Sequence, residues 1–151
     1  MPAHEELAIF IFVQELFRTS LAIVWREQNS QIVVLKRSSV PAVSEPELFE
    51  FLARFEALLP TSLRRDLVIL MDIRDAPLRN DADYEDRMNR VVVRLVGGFR
   101  RVAVLMQTSV GLLQASRLRR ERGGATAEIH PFTSEAEARA FLLAAVAAEK
   151  S

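Results

Sequence analysis

Asp72, Arg74, Asp75, Arg79, Asn80 and Asp81 crowd into one stretch directly after an apolar run, Leu67 to Met71. Carboxylates at this density could hold a hard cation, share a proton for acid–base work, or bond to their own arginines. The cation reading is weak. DIRDAPLRND lacks EF-hand spacing, and Arg74 and Arg79 would oppose a metal ion. Internal pairing of the loop is the expectation, with no metal site.

A second polar cluster is Gln107-Thr108-Ser109-Val110-Gly111. Hydroxyls and free amides at a helix start suit an anion, but Thr108 and Ser109 serve equally well as plain caps. A Ser109–His130 pair could be drawn as nucleophile and base. It lacks an identified orienting acid and oxyanion donors, and no G-x-S-x-G turn is present. The phosphate-cradling glycine patterns are absent too. The chain has no Cys, which removes thiolate metal sites, disulfides and Cys nucleophiles. These residues predict no cofactor and no enzyme. Arg117, Arg119, Arg120 and Arg122 fan around a predicted helix and read as its solvated end.

The elements that must position these groups follow from pattern. Leu21–Gln28 and Gln31–Ser38 are β-branched runs separated by Asn29-Ser30, a hairpin signature. Ser44 and Glu47 have capping-box spacing. The helix behind them carries Leu48, Phe51, Leu52, Phe55, Leu58 and Leu59 on one face, and Pro60 stops it. Asp66–Ile73 is apolar at consecutive positions, so both faces of that strand should be covered. A helix from Asp81 or Asp83 to Val96 follows, with Tyr84, Met88, Val91, Val92 and Leu95 inside, ended by Gly97-Gly98. Arg101–Gln107 is another doubly buried strand, and Val110–Arg122 a further helix. Ala125–Phe132 reads as an edge strand because of Pro131, and a helix from Glu135 to about Glu149 closes the chain.

Residues 4–18 are ambiguous. Glu5, Glu6, Glu15, Leu16 and Phe17 favour a helix, whereas Ile9 to Val13 favours a strand. A helix here would be apolar nearly all round, so it would need burial in the core or in a second subunit. The fold class expected is α/β. It has a mixed, mostly parallel five-stranded sheet, an N-terminal hairpin then βαβαβα, flanking helices and an extra N-terminal apolar helix. Residues 1–20 form that segment and 21–151 a single domain.

Bulk properties narrow the function. The chain has 151 residues, half of them hydrophobic, and 20 basic against 20 acidic side chains. That size and composition fit one domain with a full core. Zero formal charge argues against nucleic acid as a partner, since such binding rests on phosphate neutralisation. No basic region and cleavage site mark a signal peptide, and Leu7–Val13 falls far short of the ~20 residues of a membrane span. A soluble cytoplasmic protein is expected.

Leu67–Asp83, Phe99–Gly111 and Ile129–Leu142, taken in this element order, resemble the STAS domain. More narrowly, the chain is similar to the SpoIIAA-like proteins related to bacterial anti-sigma-factor antagonists. The resemblance covers roughly Leu21 to Ala148. It implies a regulatory protein-interaction module; self-association as a homodimer is expected separately, from the apolar N-terminal segment that the resemblance leaves out. Phosphorylated antagonists carry a Ser just after the Asp that ends the central strand. Here Ile73 and Arg74 follow Asp72, so the switch hydroxyl is missing. What remains implied is a non-enzymatic domain meeting an unidentified protein partner through Asp72, Arg74, Asp75, Arg79, Asn80, Asp81, Thr108 and Ser109. The alternative is a lipid or small anionic ligand at the strand ends.

Overall fold

The computed structural model describes residues 13–27, 31–40, 44–77, 82–108 and 129–150. Six strands form one sheet in sequential order: β1 (Val13–Arg18), β2 (Ala22–Glu27), β3 (Ile32–Arg37), β4 (Val68–Asp72), β5 (Val102–Leu105) and β6 (Ile129–Phe132). The first three strands are antiparallel, and β3 through β6 are parallel. The helices are α1 (Glu45–Leu58), a single turn α2 (Thr61–Arg64), α3 (Ala82–Val96) and α4 (Glu135–Lys150). The mixed, mostly parallel α/β architecture with its N-terminal hairpin is the one expected.

The strand count differs from the expected five. Val13–Arg18 lie in the span read mainly as an apolar helix, and they form an edge strand paired antiparallel with β2. A helix would have needed cover on every side. An edge strand needs only one buried face. A register shift between Glu15 and Phe17 lets consecutive Leu16 and Phe17 both pack into the core while Val13 and Glu15 stay exposed. The rest of that segment, residues 4–12, lies outside the described residues, as does the helix expected over 110–122.

The doubly apolar strands do have both faces covered. On one face Val33, Leu35, Ile69, Met71, Val102 and Val104 meet α1 and α3. On the other, Ile32, Val34, Val68, Leu70, Ala103 and Leu105 meet Ala138, Leu142, Ala145 and Val146 of α4. Each strand residue alternates between the two cores, which is why no polar residue interrupts these runs.

The helix starts follow the predicted chemistry. Ser44 Oγ accepts from the Glu47 amide at 3.4 Å, and Ser134 Oγ accepts from the Glu137 amide at 3.3 Å. Beneath α1, Phe17, Phe51, Phe55 and Phe99 form a row with centroid separations of 5.2, 6.4 and 6.4 Å.

Arg64 closes the α1–α3 layer and was not legible as such in the sequence. Its guanidinium is buried and donates to the carbonyls of Leu59 at 2.6 Å, Arg94 at 2.9 Å and Gly97 at 2.9 Å. It lies over the Phe55 and Phe99 rings, at 5.1 and 5.4 Å from their centroids. One cation therefore satisfies carbonyls at the C-terminal ends of both α1 and α3, where the helix dipoles favour positive charge.

Candidate functional site

Parallel strands β4, β5 and β6 end level with one another. Asp72 pairs in register with Leu105, and Leu105 with Phe132. Their exits make the carboxyl-end rim where open α/β sheets gather ligands. Lys36 of β3 stands beside Asp72 and is exposed.

Asp72 ends β4 with its side chain 9% exposed. Arg74 holds it in a fork: Nε donates to Oδ1 at 3.0 Å and Nη2 to Oδ2 at 2.8 Å. The Arg74 amide also donates to Oδ1, at 3.2 Å. The same carboxylate thus fixes a backbone turn and a guanidinium. Ile73 donates to the Leu105 carbonyl and the Ala76 amide to the Ile73 carbonyl, so the first turn of the loop is pinned to β5. Burial pushes the Asp72 pKa up, but the bonds from Arg74 and the charges of Arg74 and Lys36 outweigh it. The carboxyl is held below its ordinary value.

The internal pairing expected of this loop is therefore present between Asp72 and Arg74. Asp75 is different: it is exposed at the tip of the turn, with no partner among the described residues. Thr108 is exposed beyond the end of β5. Arg79, Asn80, Asp81 and Ser109 lie outside the described residues. His130 does not sit on the rim. It pairs with Ala103 inside β6, and its ring packs against Phe141 at 4.4 Å.

Two further acids and an arginine belong to the site's surroundings. Arg74 Nη2 also donates to Glu135 Oε1 at 3.2 Å, at the start of α4. Glu135 Oε2 accepts from Arg139 Nε at 3.0 Å. Arg139 forks onto Glu27 at 2.7 and 2.9 Å. The Glu135–Arg139 spacing of one helical turn was a readable signal. Glu27, at the end of a different strand, carried none.

The described residues also line one cleft of about 430 Å³. It lies between the β1–β2 connection and α1, bordered by Arg18, Glu47, Glu50, Phe51 and Arg54. Among the described residues no group of three or more His, Asp or Glu converges as a metal site would require, and no helix is long and apolar enough to cross a membrane.

No family model and no curated protein matches the sequence. A solved structure does match by shape: an uncharacterized protein of the DUF3478 family from Shewanella loihica PV-4, described as having a SpoIIAA-like fold. The TM-score is 0.56 at 18% identity, over 80% of this chain and 91% of that one. At that identity the likeness establishes the fold. This chain has a SpoIIAA-like, STAS-like fold.

Proposed function

We propose that this chain is a non-enzymatic, cytoplasmic regulatory module that binds a protein partner at the exit loop of β4. The observation that carries the reading is the division of labour within DIRD. Asp72 and Arg74 lock each other, which makes the turn rigid, and Asp75 is left exposed at its tip without a partner among the described residues. A turn held in this way, presenting a charge that no described residue engages, loses little entropy on docking. The resemblance to STAS proteins supports a partner surface at this loop. The absence of a Ser after Asp72 means the partner reads the loop itself and not its phosphorylation.

The test is a double charge reversal, Asp75→Arg with Arg79→Glu. Binding of the partner from the native cell should be lost while thermal stability stays unchanged. A variant that keeps its partner counts against the reading. The alternative, a lipid or small anionic ligand, draws less support. The cleft beside α1 is bordered by charged side chains of both signs, and although it opens at the same end of the sheet as the loop, its Arg18 lies three strands from Asp72.

A further inference from the structure

Asp72 and Arg74 are one end of a longer chain of alternating charges that crosses the α4 face of the sheet. Asp72 holds Arg74, Arg74 reaches Glu135, Glu135 holds Arg139, and Arg139 forks onto Glu27. The far end is Trp25, whose Nε1 donates to Glu27 Oε2 at 3.3 Å. That oxygen is the one that accepts from Arg139 Nη2. Glu27 pairs with Ile32 and Ile32 with Val68, so it stands at the opposite end of the parallel strands from Asp72. The separation is ~13 Å along the strands and ~10 Å across them, from the usual strand rise and spacing.

Every link is shared. Glu135 gives one oxygen to Arg74 and the other to Arg139. Arg139 gives Nε to Glu135 and both terminal nitrogens to Glu27. These groups are planar, and forked bonding fixes the orientation of each plane. Reorienting one group must therefore reorient the next or break a bond. The two ends are the better buried: Asp72 is 9% and Glu27 17% exposed, against 44% for Glu135 in the middle.

We infer that this chain couples the exit loop of β4 to the end of β2, so that the position of Arg74 is felt at Trp25. In functional terms this rests on the reading of the exit loop as a partner site. A partner that draws Arg74 away from Glu135 would then be registered on the α4 face, remote from the contact.

The chain has one Trp, so a proton–nitrogen spectrum of the full-length protein holds one indole signal. Arg74→Ala should shift that signal, and Glu135→Ala should shift it too. Arg74→Ala added to Glu135→Ala should give no further shift, because the link is already cut. An indole signal that ignores Arg74→Ala but moves with Arg139→Ala overturns the inference. So does an Arg74→Ala shift that persists undiminished in the Glu135→Ala background. Should Arg74→Ala unfold, Arg74→Lys keeps the charge and loses the fork, and the same shift and the same cancellation are expected of it. The measurement uses the free protein. Lost partner binding with an intact shift, or the reverse, therefore separates failure of the partner site from failure of the coupling.

Discussion

Asp72 looked, by residue type, like an acid available for metal or acid–base work. In place it is saturated: three donors from Arg74 occupy its two oxygens. Its folded pKa lies below the unfolded value of about 3.9, so the native state binds fewer protons near that pH. The stability it contributes is present above about pH 4 and is lost as pH falls through the folded pKa. Asp72→Asn should therefore flatten part of the acid limb of a stability–pH curve below about pH 4. Asp72→Ala should cost about 1–3 kcal/mol in denaturant unfolding. Arg64 invites a sharper expectation. Arg64→Met keeps the stem but leaves the Leu59, Arg94 and Gly97 carbonyls without their donor, at a cost of about 2–4 kcal/mol. The sequence offered no sign of this, because the bonds join positions some 30 residues apart through backbone acceptors. The Ser44 and Ser134 caps, by contrast, were legible since a cap and its target are three residues apart.

Whole elements divide in the same way. Helix α1 and strands β2 to β5 could be read from periodicity because each carries its burial pattern within itself. Phe55→Ala, fully buried in the aromatic row under α1, should cost about 3–5 kcal/mol in thermal or denaturant unfolding. The N-terminal strand was not readable. Its identity depends on the free edge of β2, which supplies backbone partners from residues 22–27, and on a bulge that turns Leu16 and Phe17 the same way. Deletion of residues 1–18 tests how far the fold depends on this strand. It strips β1 and the buried Phe17 from the sheet and exposes the edge of β2, so aggregation or loss of folding by light scattering is expected. Within β1 itself, the bulge and the exposed Glu15 and Arg18 are ordinary devices against edge-to-edge pairing.

At the scale of the molecule, order of elements made the fold readable, and the shape match to a SpoIIAA-like structure agrees with it. The function is less readable for a physical reason. A binding rim needs exposed, unengaged side chains, and such residues leave no periodic trace. In this rim the chemistry-bearing residues nearest the strand bond to each other, and the proposed partner surface starts beyond them, at the exposed Asp75. The most direct test is capture from the native cell with the wild-type chain and with the Asp75→Arg, Arg79→Glu variant, alongside melting curves of both. A partner should be held by the wild type and lost by the variant, with melting temperatures agreeing to about 2 °C, because the Asp72–Arg74 pairing is left in place and a cost under about 0.5 kcal/mol is expected. The same partner retained by the variant, or a variant that melts far lower, would contradict the proposed partner site.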